Sequence, residues 1–312
     1  MDLRFMYEIT TEQLEKIVTS IDPSYSSPVA IPLTGGYSSH VFRLSCHSSE
    51  GQMDFALRIP KLEVLKLLPN VVSTEFRLLE TLTASGIQVP LAVFLDTSLK
   101  TLPDPFMVVG WVEGQTIFQP EDSFVFVKHL ARILSKIHQI DKTKHDVSFL
   151  PQITDDLYRE SIVREKEMDD SIRESEIRNV LKQDWPFQYR NDSVLLHGDY
   201  WPGNVMWNGD RPTVIDWVDS AVGEPLEDVG NARMELLWVL GPEMVDAFTQ
   251  EYQSQNPTLD YRGLPYWDLM ASLRAAFKIR KWADGNDKRE QEMRTWHKQF
   301  VDAAMEKIKT SG

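Results

Sequence analysis

The sequence predicts an α+β fold in two parts, a small antiparallel sheet followed by a larger, mostly helical region. Three observations lead to this prediction. Apolar and polar residues alternate with a period of two over 28–59, which is typical of half-buried strands. Beyond 123, apolar residues recur at helical spacing instead. The chain of 312 residues is long enough to form two separate cores.

The first third contains most of the strand candidates. A helical pattern at 11–20 follows Thr10, a residue suited to begin a helix. A second helix is predicted near 72–85, ended by Gly86. The predicted strands are the segments PVAIPL, VFRLSC, MDFALRI, LAVFLD and PFMVVGWV. We therefore expect a small antiparallel sheet with one inserted helix.

The remainder predicts helices with a few short strands between them. The segment FVFVKHLARILSKIHQI places apolar residues on one helical face. Short strands are predicted at SVLLH, NVMW and PTVID. The other predicted helices span 154–182, 225–240, 243–254, 266–284 and 288–309.

Composition excludes several classes of protein. The net charge is −14 and no run of basic residues occurs, which disfavours nucleic acid as a partner. The sequence has no stretch of about 18 apolar residues and no secretory signal, so we expect neither a membrane span nor export. The single cysteine, Cys46, cannot form an intrachain disulfide, which fits a reducing compartment. A cytoplasmic protein is therefore expected.

The segment LLHGDYWPGNVMW (195–207) concentrates polar residues between two apolar strands. An Asp at the start of such a loop, Asp199, can accept the proton of an acceptor hydroxyl. The amide of Asn204 and a second carboxylate from the next strand, Asp216, can hold Mg²⁺. The alternative of a transition-metal hydrolase lacks the paired histidines that such sites use. The order and spacing favour phosphoryl transfer.

This segment, followed by VIDWVDSAVGEPLEDVGNA, resembles the catalytic and metal-binding segments of the aminoglycoside phosphotransferase and choline kinase-like small-molecule kinases. The resemblance covers about 33–235 and implies a protein-kinase-like bilobal fold. It implies ATP or GTP and Mg²⁺ as cofactors, Asp199 as the catalytic residue, and Asn204 and Asp216 as metal ligands. A protein kinase is disfavoured because H-R-D, D-F-G and A-P-E are absent. A catalytically silent nucleotide-binding regulator stays open.

The resemblance also implies a nucleotide site in the first third. Ala56 and Arg58 are two apart on a predicted strand, so they share a face. Ala56 would lie against adenine, and Arg58 would reach the phosphates with the bidentate geometry of a guanidinium. Glu75 is the best candidate to pair with Arg58, and Glu63 and Glu80 are alternates.

The segment LTGGYSSHVF (33–42) would cover the phosphates, although it matches the kinase glycine pattern poorly. The residues expected to contact the phosphates are Gly35, Gly36, Ser38 and Ser39. Val41 would pack against adenine. The segment PFMVVGWVEGQTI resembles the hinge, where backbone groups of Trp111 and Val112 would contact the adenine edge. Ile215 would form the lower wall of that pocket.

The resemblance implies three domain segments and several supporting residues. The expected limits are 1–109 for the nucleotide-binding lobe, 110–114 for the hinge and 115–312 for the helical lobe. His138 is expected to be a buried structural hydrogen-bonding residue, and Asp228 to brace the backbone of the catalytic loop together with His197. The acceptor would be a small molecule with a hydroxyl group, such as an antibiotic, an amino alcohol or a sugar. No feature of the sequence indicates an oligomeric state.

Overall fold

A computed structural model of the chain describes residues 7–34, 36, 38–163 and 167–311. They form two compact units. The first unit extends to Gln115 and also includes Met206–Val218, and the second comprises Thr116–Val205 with the chain from Asp219 onward. The first contains most of the strands and the second most of the helices, so the predicted α+β class is confirmed.

The strands are β1 (Ser26–Pro32), β2 (Ser39–Ser48), β3 (Gly51–Pro60), β4 (Ala92–Asp96), β5 (Phe106–Gly110), β6 (Gln115–Thr116), β7 (Val194–Leu196), β8 (Val205–Asn208), β9 (Arg211–Val214) and β10 (Ala221–Gly223). The principal sheet has the order β1-β2-β3-β5-β4, and every neighbouring pair in it is antiparallel. Two small sheets have the orders β6-β8-β9 and β10-β7. The predicted antiparallel sheet is therefore present.

The helices are α1 (Thr11–Ile21), α2 (Leu62–Leu67), α3 (Val71–Ala84), α4 (Ser123–His138), α5 (Asp155–Ile162), α6 (Glu174–Asp184), α7 (Pro225–Leu240), α8 (Pro242–Gln255), α9 (Leu264–Ser272), α10 (Ile279–Trp282) and α11 (Asp287–Ser311). Short 3₁₀ helices occupy Asp170–Ile172, Pro202–Asn204, Tyr261–Gly263 and Leu273–Ala275. No helix in the described ranges combines the length and apolar character that crossing a bilayer requires.

The alternation of residues along the strands of the first third determines which face of the principal sheet is buried in a core. On β3, Phe55, Leu57 and Ile59 are buried, whereas Ala56 and Arg58 between them are only half-buried. The buried face joins apolar residues of β2, β5 and α1 in one core. The opposite face of β3 is therefore free to contribute side chains to a site.

Two predicted helices are interrupted in the structure, and a residue with a positive φ angle lies in each interruption. The prediction of one helix over 154–182 is wrong, because α5 ends at Ile162 and α6 begins only after Arg173, which has φ of 64°. The prediction of one helix over 266–284 is also wrong, because Phe277 has φ of 59° between Leu273–Ala275 and α10. A right-handed helix cannot continue through such a residue.

The hairpin of β8 and β9 belongs to the first unit, although the sequence division placed it in the segment 115–312. The amide of Val214 donates to the carbonyl of Gln88 at 2.9 Å. A Cβ at Gly114, which has φ of 121°, would lie 2.2 Å from the carbonyl oxygen of Trp207. The predicted limits followed chain order, whereas these contacts join segments distant in sequence.

Candidate active site

The backbone of the loop after β7 is fixed by one buried carboxylate. The amides of His197 and Gly198 donate to Asp228 at 2.7 and 2.9 Å. Burial raises the pKa of Asp228, but hydrogen bonds with the His138 side chain and the His197 amide, together with electrostatic interactions with both histidines, outweigh it, and the net pKa is lowered. Asp228 is therefore ionised at neutral pH and holds the loop as an acceptor of two hydrogen bonds. The expectation that Asp228 braces this loop is confirmed.

The brace continues into two helices. Nε2 of His138, at the end of α4, lies 3.2 Å from Oδ2 of Asp228. Nδ1 of the same ring lies 2.6 Å from the hydroxyl of Tyr252 on α8. His138 is buried, so the prediction of a structural hydrogen-bonding role for it is confirmed. The position of the loop thus depends on the packing of α4 against α8.

Gly198 occupies a position that only glycine fits. Its φ is 81°, and an added Cβ would lie 2.1 Å from the carbonyl oxygen of Asp219. The next amide, that of Asp199, donates to Nδ1 of the buried His197 at 3.2 Å. Both contacts turn the chain so that the side chain of Asp199 leaves the loop and stays about one-third exposed.

Asn204 supports the same carboxylate from the short helix Pro202–Asn204. Its side-chain nitrogen donates to the carbonyl of Asp199 at 2.8 Å and to Oδ2 of Asp199 at 3.1 Å. The amide oxygen of Asn204 therefore points away from Asp199. Gly203 allows this turn, because a Cβ there would lie 2.3 Å from the ring of Trp201.

The second oxygen of Asp199 has a partner that the sequence did not reveal. Nη2 of Arg274, in the 3₁₀ helix Leu273–Ala275, donates to Oδ1 of Asp199 at 2.6 Å. Nη1 of Arg274 donates to the carbonyl of Gly198 at 3.1 Å. No motif surrounds Arg274, and 75 positions separate it from Asp199, so the sequence held no signal for this contact.

In the first unit, Arg58 lies between two carboxylates. Its Nη1 contacts Oε1 of Glu75, and its Nη2 donates to Oδ1 of Asp216 at 3.1 Å. Glu75, from α3, is the partner, and within the described residues neither alternate, Glu63 or Glu80, forms an ion pair with Arg58. Burial raises the pKa of Glu75, and the positive charge of Arg58 opposes this effect. The guanidinium thereby connects a buried acid to a half-exposed one.

Asp216 is held in an unusual backbone conformation. Its φ is 63°, in the left-handed region, which Asp tolerates better than most residues. The amide of the next residue, Trp217, donates to Oε1 of Glu75 at 3.4 Å, and its buried ring donates to the carbonyl of Val214 at 3.1 Å. Ile215 is half-buried. These contacts leave Asp216 partly exposed beside Arg58.

The predicted nucleotide-facing residues of the sheet lie on one face. In the register of β2 and β3, Val41 is opposite Arg58 and Arg43 is opposite Ala56. Val41, Ala56 and Arg58 are all half-buried, unlike the core residues between them. The structure therefore brings these three predicted residues together.

The loop before β2 is partly described. Gly35 lies outside the described residues, as does Tyr37. Gly36 has no room for a side chain, because a Cβ would lie 2.3 Å from the carbonyl oxygen of Ser39. Lys61, which the sequence did not single out, donates from Nζ to the carbonyl of Gly36 at 2.6 Å and from its amide to Ser38 at 2.9 Å. Ser39 is buried at the start of β2.

The segment after β5 carries the remaining predicted residues. Trp111 and Val112 follow Gly110 in irregular, half-buried backbone. The guanidinium of Arg43 lies 4.8 Å from the centre of the Trp111 ring. The ring of Trp111 therefore packs against Arg43 of β2, and the contact of its backbone with adenine stays a prediction.

The sequence was compared with family models and with curated proteins. The model of the phosphotransferase enzyme family matches residues 29–269, more than half of the chain. Among curated proteins, none matches the chain.

Three solved structures are similar in fold. A presumed aminoglycoside phosphotransferase from Ralstonia eutropha JMP134 has TM-score 0.70 and 16% identity, covering 97% of this chain and 99% of its own. Macrolide 2'-phosphotransferase MphH from Brachybacterium faecium has TM-score 0.60 and 19% identity, covering 86% and 91%. Amicoumacin kinase, in complex with AMP-PNP, Ca²⁺ and its ligand Ami, has TM-score 0.58 and 14% identity, covering 96% and 90%. At these identities the likeness establishes a kinase-like fold.

Proposed function

Because the chain belongs to the phosphotransferase enzyme family, we propose that it transfers the γ-phosphoryl group of ATP to a hydroxyl of a small molecule. The observation that carries this proposal is the bridge that Arg58 makes between Glu75 and Asp216. A cation in this setting suits phosphate oxygens, since a guanidinium presents several donors in one plane. GTP is a second candidate donor of the phosphoryl group.

Asp199 is proposed to orient the acceptor hydroxyl and accept its proton. Its loop is fixed by Asp228, and its carboxylate is partly exposed, so a small molecule can approach it. Correct placement of the hydroxyl by such a group accounts for much of the acceleration in phosphoryl transfer. His197 and His138 act on the position of the loop and take no proton in this proposal.

Asn204 and Asp216 are proposed to hold Mg²⁺. Both offer oxygen ligands, which Mg²⁺ prefers, and the nitrogen of Asn204 is already occupied by Asp199. When bound, the ion would offset the negative charge of the phosphates.

The nucleotide would be held by residues of the first unit. Arg58 would hold phosphate oxygens, while the backbone near Gly36 and Ser38 would donate to them. Val41, Ala56 and Ile215 would contact adenine, with the segment 110–114 as the hinge.

The acceptor is proposed to be a small hydroxylated molecule. Two of the proteins with similar structures are named for their antibiotic substrates, a macrolide and amicoumacin. Their names support a small hydroxylated acceptor in general but do not favour one particular compound. Aminoglycoside-like antibiotics, amino alcohols, sugars and other hydroxylated metabolites therefore form the set to test.

The test is a screen for ATP-dependent product formation. Purified protein would be incubated with radiolabelled ATP and Mg²⁺ against hydroxylated amines, sugars, acids and antibiotics. We expect labelled product with at least one acceptor, and its loss in Asp199→Asn. ATP turnover that is unaffected by Asp199→Asn would reject the proposal. A protein that binds nucleotide and labels none of the acceptors would favour the silent regulator.

A further inference from the structure

One cation contacts the proposed catalytic base, and a second cation that interacts electrostatically with the same base lies four positions further along the chain. Arg274 donates to Oδ1 of Asp199 and to the carbonyl of Gly198. Lys278 follows after the break at Phe277, at the start of the α10 region. Arg274 and Lys278 both lie beyond residues 29–269, which the family model matches. This arrangement is therefore a property of this chain's C-terminal segment.

Arg274 has unused hydrogen-bonding capacity. A guanidinium carries five N–H donors, and only Nη1 and Nη2 donate to protein groups within the described part of the chain. About a third of the side chain is exposed. The remaining donors can therefore bind an anionic group that approaches Asp199 from solvent.

Lys278 adds a second positive charge to the surroundings of Arg274 and Asp199. Its side chain is exposed, and within the described ranges no carboxylate forms an ion pair with it. Partial desolvation lowers the pKa of Lys278 and the positive charge of Arg274 lowers it further, while the carboxylates of Asp199 and Asp219 oppose this shift. The ammonium lies 5.6 Å from the centre of the Trp282 ring, which holds the side chain on this surface. The two cations thus share one electrostatic environment.

Besides Asp199, the charges of Asp219, Glu227 and Glu235 act on these cations, with Asp219 acting on Lys278 and the two glutamates on Arg274. Desolvation raises the pKa of Glu235 to about 7, with the charge of Arg274 opposing the effect. Desolvation also raises the pKa of Glu227 to about 7, and the hydroxyl of Tyr158 donates to Glu227 at 2.5 Å. At neutral pH both acids are therefore partly protonated.

We propose that Arg274 and Lys278 form an anion subsite beside Asp199, so that the acceptor is a hydroxylated molecule carrying a carboxylate or phosphate group. This inference rests on the proposed function. Because Arg274 and the acceptor hydroxyl would bind the same carboxylate, the anion and the hydroxyl are expected to lie within roughly 4–6 Å of each other, about two hydrogen-bond lengths. A short hydroxy acid or a sugar phosphate meets this requirement, whereas a polycationic antibiotic does not.

The test uses acceptors matched in their hydroxyl and different in charge. Glycerate is compared with glycerol, L-serine with ethanolamine, and glucose 6-phosphate with glucose. We expect the wild-type kcat/KM to favour the anionic member by at least about tenfold, the value of one charge-assisted hydrogen bond. Arg274→Gln and Lys278→Gln should each reduce this preference at least about fivefold, mainly through KM of the acceptor.

The ratio within each variant is the decisive quantity, because Arg274→Gln also disturbs Asp199 and lowers kcat for both members alike. Among the described residues, the Lys278 side chain forms no hydrogen bond with Asp199. The variant Lys278→Gln therefore tests the subsite without disturbing the proposed base. The matched control is Arg280→Gln, which removes an exposed arginine that pairs with Asp287 and Glu290 in the same segment. The control should leave the ratio unchanged. An equal or reversed ratio in the wild type, or an unchanged ratio in both test variants, would overturn the inference and leave the proposed function standing.

If no acceptor in the panel is phosphorylated, a binding measurement tests the anion subsite directly. Malonate, which has no hydroxyl, is titrated by calorimetry in the presence of Mg²⁺ and saturating AMP-PNP. We expect millimolar binding that Arg274→Gln and Lys278→Gln each weaken at least about fivefold, consistent with loss of one charged contact. Absence of binding, or equal affinity in the variants, contradicts the subsite. A loss of AMP-PNP affinity in Arg274→Gln, with the malonate affinity unchanged, would assign Arg274 to the nucleotide instead.

Discussion

Nη2 of Arg58 lies 3.1 Å from Oδ1 of Asp216, although 158 positions separate the two residues in the chain. The contact forms because the hairpin of β8 and β9 belongs to the same compact unit as the principal sheet. Glu75 contacts Arg58 from the other side. A residue proposed to hold phosphates and a residue proposed to hold a metal are thus positioned by one buried acid.

Glu75→Gln should weaken nucleotide binding. The neutral amide leaves Arg58 with only one carboxylate partner, so the guanidinium is held less firmly. We expect the Kd for AMP-PNP to rise about tenfold and the free energy of unfolding to fall by about 1–3 kcal/mol. Calorimetry and urea denaturation measure the two effects. Glu80→Gln, an exposed position on the same helix, is the control and should match the wild type.

Asp199→Asn should remove catalysis while leaving nucleotide binding intact. The amide keeps the size of the side chain but cannot accept a proton from the acceptor. We expect kcat to fall at least about 100-fold, in the range for an acid–base group. Steady-state ADP release with an acceptor found in the screen measures kcat, and Asp210→Asn in an exposed turn serves as the control. Near-normal turnover in Asp199→Asn would mean that another group orients the hydroxyl.

Asp216→Ala should abolish the dependence of nucleotide binding on Mg²⁺. The variant removes the proposed carboxylate ligand while Asn204 remains. AMP-PNP affinity measured over a series of Mg²⁺ concentrations should become flat. Asp216→Asn is the second variant, because Asn also tolerates the φ of 63° at this position and so separates loss of the ligand from loss of backbone geometry. A Mg²⁺ response equal to that of the wild type in both variants would exclude Asp216 as a ligand.

Glu235→Gln should change how stability depends on pH. Desolvation raises the pKa of Glu235 in the folded protein from 4.5 to about 7. Between these values the folded state binds more protons than the unfolded state, so this group makes stability fall as the pH rises. Glutamine does not titrate, so the variant should lose less stability than the wild type between pH 4.5 and 7.

Thermal unfolding at several pH values measures this difference. The advantage of Glu235→Gln over the wild type should grow with pH and level off above about pH 7. Glu243→Gln, at an exposed position, controls for removal of one charge. Parallel curves for the wild type and Glu235→Gln would show that Glu235 is ionised normally in the folded protein.

The parts of the site that the sequence predicted are local. Ala56 and Arg58 share a face because side chains alternate along any strand. Asp199 and Asn204 approach each other because they lie five positions apart around Pro202 and Gly203. The fold class followed from the change in apolar period along the chain. Each of these inferences needed only neighbouring residues.

The parts that the sequence did not predict depend on distant contacts. Arg274 contacts Asp199 from the short helix Leu273–Ala275, inside the segment where a single helix over 266–284 was expected, and no glycine or proline marks the interruption of that segment. Lys61 donates to Gly36 across 25 positions, and nothing distinguishes it from other lysines in the sequence. Both contacts depend on packing between segments that are distant in sequence. A single sequence contains no local pattern from which such packing can be predicted.

The most direct test is a crystal structure of the protein with AMP-PNP and Mn²⁺, with the ion located by anomalous scattering. The central claim predicts a Mn²⁺ ion bound by the amide oxygen of Asn204 and a carboxylate oxygen of Asp216. Both distances should be about 2.0–2.6 Å, the range of oxygen ligands around divalent ions, with Asp199 facing the γ-phosphate. An ion bound elsewhere, with these two oxygens directed apart, would contradict the claim.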